Sequence, residues 1–241
     1  MLDFHTHILP GIDDGSKDVE TSCKMLGMLK EQNVDIVVAT PHFYYDTMNF
    51  ENFKAYREKS LELFLDGLGK LNLTQRPKIA LGAEVKFFYG LDVYQNIEAL
   101  CIRGTRFMLV EMPFEKWEHN MFLALKNLKE ERDITPVIAH VERYFPFNSK
   151  RQIINNLVDV GALIQCNASY FNSKLTRGKA LKMLKGGLIQ FIGSDCHNLE
   201  ERKPDYQTAL EVIGSNKYGG LYLNDLEVWQ NVFEKSGVIL Y

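Results

Sequence analysis

Short apolar runs alternate with stretches of helical periodicity along the whole chain, and this alternation constrains the fold more than any other feature. The runs are Leu2 to Phe4, Ile36 to Ala39, Ile79 to Leu81, Phe107 to Val110, Pro136 to Ala139, Ala162 to Cys166 and Ile189 to Ile192. Each is almost continuously apolar, as a strand covered on both faces must be. Between them, segments such as SKDVETSCKMLGMLKEQ (16–32), NFKAYREKSLELFLDGLGKL (52–71), NMFLALKNLKEER (120–132), KRQIINNLVDVG (150–161) and RGKALKMLKGG (177–187) repeat apolar residues every three or four positions. Ser16 and Asp18 suit the start of the first helix, and Gly161 stops the segment before it. Strand–helix alternation predicts an α/β fold in which helices cover parallel strands. A barrel of seven or eight β/α units fits best. The alternative, an open doubly wound sheet, has no GxGxxG or GxxxxGK[ST] turn after any strand. With 241 residues, 46% hydrophobic, and no Pro- or Ser-rich linker, the chain reads as a single domain over 1–241.

The residues that follow the runs carry the chemistry. His5 and His7 follow the first, His42 the second, Glu84 the third, Glu111 the fourth, His140 the fifth, and Asp195 and His197 the seventh. The sixth offers Asn167. Barrel enzymes place their active sites at this C-terminal face of the strands. One histidine at a strand end is usually a satisfied polar group; five of the six histidines there, interleaved with carboxylates, point to bound divalent ions such as Zn, Mn or Fe. The HxH step puts both imidazoles on one side of an extended backbone. The Pro10–Gly11 turn carries Asp13 and Asp14 back toward them, and Asp13 suits equally well a cap on the following helix. His119, the sixth histidine, reads as a surface or capping residue.

At these positions the sequence resembles the polymerase-and-histidinol-phosphatase (PHP) superfamily, and within it the bacterial protein-tyrosine phosphatases that control capsule and exopolysaccharide synthesis. HTHILPGIDDG (5–15), ATPH (39–42), GAEV (82–85), LVEMPF (109–114), IAHVERY (138–144) and GSDCHN (193–198) are similar to that family's motifs, in order and over nearly the whole chain. The resemblance implies a distorted (β/α)7 barrel, TIM-like in outline, that holds three divalent ions, with Mn(II) the first choice and Fe or Zn the alternatives. It places His5, His7, Glu84 and Asp195 on one ion. Glu84 bridges to a second that Glu111 and His140 complete, and Asp14, His42 and His197 hold the third. Arg143 and Arg202 match the family's phosphate-binding arginines. The implied substrate is phosphotyrosine on a bacterial tyrosine kinase, in its tyrosine-rich C-terminal tail.

Rival readings remain distinct in what they demand. Histidinol phosphate or another small phosphate ester would use the same metal site. A metal-stabilised binding module would close its ligands around the ions, with no open position for water. Cys196 to Arg202 has the C-x5-R spacing of cysteine-dependent tyrosine phosphatases, but its HNLEE interior lacks glycine and sets two glutamates against a phosphate. Aromatic residues after His42, namely Phe43, Tyr44, Tyr45 and Phe50, suit either a rim for phosphotyrosine or loop packing. A net charge of -3 provides no broad basic field, so nucleic acid is not an expected partner. Scattered cysteines, no long apolar span and no leader-like N-terminus predict a cytoplasmic protein without membrane insertion, expected to be monomeric or weakly associating with its oligomeric state left open by the sequence.

Overall fold

The computed structural model describes residues 1–70 and 76–241. The expected strand–helix alternation is present as a mixed α/β fold built on a curled parallel sheet. Strands β1 (Leu2–Thr6), β2 (Ile36–Ala39) and β4 (Lys78–Leu81) pair in the order β1-β2-β4. Strands β3 (His42–Phe43), β5 (Glu84–Lys86), β6 (Phe107–Glu111), β7 (Thr135–Ile138), β8 (Leu163–Asn167) and β9 (Phe191–Gly193) follow in chain order. Every pairing between them is parallel.

Two of the expected runs therefore continue past a kink. After β2, the Thr40 N–H bonds the Thr6 carbonyl at 2.8 Å; after β4, the Gly82 N–H bonds the Ala39 carbonyl at 2.8 Å and Glu84 N–H the Pro41 carbonyl at 3.0 Å. These continuations are what carry His42 and Glu84 into the sheet. At the far side, the end of β9 meets the end of β1: the His7 N–H bonds the Cys196 carbonyl at 3.0 Å and the Asp195 N–H the His5 carbonyl at 2.8 Å. The C-terminal residues add an antiparallel bridge, Leu240 to Ala80, beside β4.

Helices α1 (Val19–Glu31), α2 (Phe50–Lys70), α3 (His119–Glu131) and α4 (Lys150–Asp159) occupy the first four periodic segments. The expected end of the second, Leu71, lies outside the described residues. Asp18, not Asp13, caps α1, its carboxylate accepting the Thr21 N–H at 2.8 Å. Helices α5 (Ala168–Asn172), α6 (Arg177–Lys185), α7 (Gln207–Gly214) and α8 (Gly219–Lys235) complete the chain. Among the described residues, no helix is long and apolar enough to cross a membrane.

The inner face of the sheet is layered. Phe4, Phe107, Leu109, Val137 and Phe191 fill its lower part, where Phe233 of α8 enters fully buried. Phe4 stacks on Phe191 with ring centroids 3.9 Å apart and meets the Phe233 edge. Burial of each such ring contributes about 2–3 kcal/mol. Alternation along the same strands then brings Glu111 above Leu109 and Gln165 and Asn167 on β8 to the top, with Gly193 above Phe191 leaving room for them.

Strand β1 departs from strict alternation. Asp3 pairs with Val37 but Thr6 with Ala39, so β1 holds one residue more than β2 over this interval. This bulge lets the adjacent Phe4 and His5 both face inward, Phe4 to the aromatic floor and His5 to the polar layer.

Candidate metal centre

The expected ligands converge on the polar layer. Glu84, almost fully buried, lies at its middle. Its Oε2 is 3.2 Å from Nε2 of both His5 and His7 and 3.0 Å from Nδ1 of His42, while its Oε1 is 2.9 Å from Nε2 of His140. Glu111 adds an oxygen 3.7 Å from His140 Nε2. Asp195 Oδ1 stands 3.6 Å from His5, His7 and His197. Asp14 Oδ1 stands 3.4 Å from His42 Nε2 and 3.5 Å from His197 Nε2. Among the described residues, three sets have donor atoms close enough to share an ion: His5, His7 and Glu84; His42, Glu84 and Glu111; and His7, Asp14, His42 and His197. His42 and His7 each belong to two sets, a sharing that the order of motifs along the chain does not reveal.

Local structure explains how each group arrives. After β1, the Ser16 N–H returns to the His7 carbonyl at 2.9 Å, closing the Ile8–Gly15 loop. A Cβ on Gly15 would lie 2.3 Å from the His7 carbonyl oxygen, so only glycine lets the loop pass this close. Within it, Asp13 points inward and bonds His7 Nδ1 at 2.7 Å and the His42 N–H at 3.0 Å. Asp14 points outward, 63% exposed, with its carboxylate over His42 and His197. Gly193 makes the equivalent opening for His5, whose Cβ would be 2.5 Å from an added one. His140 and Asp195 hold left-handed backbone, φ 32° and 54°. That conformation costs about 1–2 kcal/mol per non-glycine residue, and neighbours must hold it. Gln165 does so for His140, accepting its N–H at 2.7 Å.

The imidazoles are oriented. Nδ1 of His5 faces Gln165 Oε1 at 3.2 Å, Nδ1 of His7 bonds Asp13, and Nδ1 of His197 bonds the Asp195 carbonyl at 2.9 Å. Each Nε2 is thereby turned into the cluster. Among the described residues, three buried ring nitrogens have no hydrogen-bond partner: His42 Nδ1, which is near Glu84 but off hydrogen-bonding geometry, His140 Nδ1 and His197 Nε2.

Electrostatics tell the same story. Burial opposes charge throughout, yet His5, His140 and His42 hold the Glu84 carboxyl well below its usual range. Asp13 and Glu84 outweigh burial at His7 and push it up to about 10, while burial and the His7 charge pull His197 down to about 3. Burial lowers His140 as well. The carboxylates thus favour the charged form of His7, while burial keeps His140 and His197 neutral. Nitrogen and oxygen donors, outward-pinned Nδ1 atoms and unmet ring nitrogens fit divalent cations.

Both expected arginines reach this layer. Arg143 donates to Asp195 Oδ2 at 2.5 Å; Arg202 donates to Asp195 Oδ1 at 2.8 Å and lies 3.8 Å from Asp14. The Asn198 side chain accepts the Arg202 N–H at 3.0 Å and so folds the HNLEER turn back on itself. Cys196 of the C-x5-R pattern is fully buried, and burial pushes its thiol up, which removes the thiolate that a nucleophile needs. Of the aromatic residues after His42, Phe43 and Phe50 belong to the core and Tyr45 packs on Phe88 and Tyr94; only Tyr44 meets the site, stacked on His42. His119 is an exposed residue in the first turn of α3.

Sequence reasoning missed Asp13 as the partner of His7, and it missed Gln165. Gln165 Nε2 donates to Asn167 Oδ1, and Asn167 Nδ2 to Asp195 Oδ2, both at 2.9 Å, so β8 braces His5, His140 and Asp195 together. The signal was a pair of amides two residues apart in an otherwise apolar strand.

A family model described as capsular polysaccharide synthesis, CpsB/CapC, matches residues 1–233. The tyrosine-protein phosphatase CpsB of Streptococcus pneumoniae is 30% identical over 245 residues, covering 95% of each chain. The tyrosine-protein phosphatase YwqE of Bacillus subtilis is 29% identical over 223 residues, 88% of this chain and 84% of that one. A crystal structure from a study of YwqE and CpsB as metal-dependent tyrosine phosphatases superposes with a TM-score of 0.85 at 24% identity, covering 100% of this chain and 97% of that chain. That superposition establishes the shared fold.

Proposed function

Because the chain belongs to the CpsB/CapC family of capsular polysaccharide synthesis, we propose that it is a metal-dependent protein-tyrosine phosphatase. Its substrate in this reading is the tyrosine-rich C-terminal tail of a bacterial tyrosine kinase that controls capsule or exopolysaccharide synthesis. One observation carries the reading: His5, His7 and His197 each have Nδ1 held by a protein acceptor, and each turns Nε2 toward shared carboxylates. Metal-ligating histidines almost always donate their other ring N–H to such an acceptor, which fixes the ring and aims the free nitrogen at the ion.

Three divalent ions are assigned. His5, His7, Glu84 and Asp195 would hold the first; Glu84, Glu111 and His140 the second; Asp14, His42 and His197 the third. Mn(II) is the first choice and Fe or Zn follow, since such donors discriminate weakly among them. Bound there, the ions supply Lewis-acid neutralisation of phosphoryl oxygens and a water acidified toward neutral pH. Against the carboxylates of Asp14, Glu84, Glu111 and Asp195 they leave about two positive charges, which suits a phosphate dianion.

The chain's own residues then bind and orient. Arg143 and Arg202 spend part of their guanidinium donors on Asp195 and keep others for phosphoryl oxygens as charge builds in the transition state. Asp195 sets the position of both guanidiniums. Asp13 and Gln165 keep His7 and His5 aimed. The curled sheet is read as a distorted (β/α)7 barrel in one domain over 1–241, supported by the kinked continuations of β2 and β4 and by the bonds joining β9 to β1. Four buried, unpaired cysteines support a cytoplasmic location.

The test compares turnover of a tyrosine-phosphorylated peptide with that of histidinol phosphate at equal Mn(II) loading. Preference for the peptide is expected; preference for histidinol phosphate overturns the substrate. His140→Ala should remove activity while the protein stays soluble, and full activity in that variant refutes the ligand assignment.

A further inference from the structure

Above Glu111 the site opens into a cleft of about 390 Å³ lined by Tyr44, Lys86, Met112, Pro113, Phe114 and Glu115. The two rings in this lining are placed by the ligand histidines. His42 and His140 take different oxygens of Glu84; Tyr44 stacks on His42 with centroids 4.8 Å apart at 22°, and Phe114 lies nearly parallel to His140, 6.1 Å away at 16°. One ring therefore stands beside each oxygen of the central carboxylate. Lys86 Nζ, itself part of the lining, lies over the Tyr44 ring 5.1 Å from its centroid and helps to hold that ring in place. Phe114 remains 45% exposed although a buried position is the usual fate of a phenyl ring. A larger groove of about 690 Å³, lined among others by Tyr45, Phe88 and Tyr94, includes none of the site's ligands.

Resting on the phosphatase reading above, we infer that this cleft is an aryl slot: Tyr44 and Phe114 flank the phenyl ring of the substrate while its phosphate reaches the buried ligand cluster. Two physical reasons favour an aryl phosphate over an alkyl one. The donor atoms of His5, His7, Glu84 and His140 are buried, whereas the two rings form the half-exposed rim. A phosphoserine carries its phosphate one carbon from the backbone and would have to bring the main chain down between the rings; the tyrosine ring spans that depth itself. Aromatic faces also attract an offset or edge-on ring beyond simple area burial.

The experiment measures binding of phenylphosphonate and methylphosphonate to the Mn(II)-loaded protein by calorimetry, in wild type, Tyr44→Ala, Phe114→Ala and Tyr44→Phe. Wild type is expected to favour the phenyl ligand, each alanine variant to lower the phenyl-to-methyl affinity ratio about fivefold, and Tyr44→Phe to keep it. An unchanged ratio in both alanine variants overturns the slot, as does wild type binding both phosphonates equally. A fall in one variant alone overturns the two-sided clamp. Failure of wild type to bind either phosphonate refutes the phosphatase reading itself.

Discussion

Replacing Asp13 by alanine separates two adjacent carboxylates whose roles the sequence left open. The Asp13 side chain accepts from His7 Nδ1 at 2.7 Å, the Gly15 N–H at 2.9 Å and the His42 N–H at 3.0 Å. Losing an acceptor costs about 1 kcal/mol for each backbone donor and about 2 for the imidazole, so Asp13→Ala should lose roughly 4 kcal/mol. For a domain of this size that is a fall in Tm of about 10 °C. Without its Nδ1 partner His7 can rotate, and affinity for Mn(II) should drop about 10- to 100-fold. Asp14→Ala should behave differently: among the described residues its exposed side chain makes no hydrogen bond, so stability should change by less than about 0.5 kcal/mol while the ion assigned to Asp14, His42 and His197 is lost. The assays are thermal unfolding of the metal-free protein and calorimetric Mn(II) titration. Acid adds a check on sign. Burial opposes ionisation of Asp13, but His7 and the two backbone donors hold its carboxyl down to about 2 against an ordinary 3.8. Its contribution is complete above the ordinary value and lost as pH falls through about 2, so the gap between wild type and Asp13→Ala should close over that interval. Wild-type Mn(II) affinity in folded Asp13→Ala, or an equal stability loss in Asp14→Ala, would refute the reasoning.

Gly193→Ala would set a methyl 2.5 Å from His5 Cβ and 2.8 Å from Gln165 Nε2, so roughly 2–4 kcal/mol of stability and the His5 ion should be lost together, as chemical denaturation and metal analysis would record. Arg143→Ala should lower kcat/KM for a phosphotyrosine peptide about 100-fold with the bound metal retained; a change smaller than threefold would remove it from the phosphate site. Chelation should abolish turnover and Mn(II) restore it, while Cys196→Ser, at a modest cost in stability, should stay active. The opposite pair of results would reinstate the cysteine nucleophile.

Much of the proposed centre was legible in the chain because each candidate ligand except Asp14 follows an apolar run, and parallel strands bring such ends to one face. Strand limits were less so: the last run was expected at Ile189–Ile192 and forms β9 at Phe191–Gly193. His42 and Glu84 were placed after strands but lie within them, since β2 and β4 resume as β3 and β5 beyond their kinks. Helices α7 and α8 were not anticipated, and with α8 the aromatic plug that closes the floor beneath the ligands was missed.

Residue chemistry and order along the chain were determined by the sequence alone: which imidazoles and carboxylates are available, and that HxH shares a side. Only the tertiary structure decided how they meet. The extra residue in β1 sends Phe4 and His5 inward together, where alternation would have parted them. Asp13 and Asp14, identical and adjacent, took different duties because the closed loop points one at His7 and the other over His42 and His197. Periodicity reports a residue's face within its own element, whereas a bulge, a loop closure and the sharing of Glu84 depend on groups brought together from distant parts of the chain.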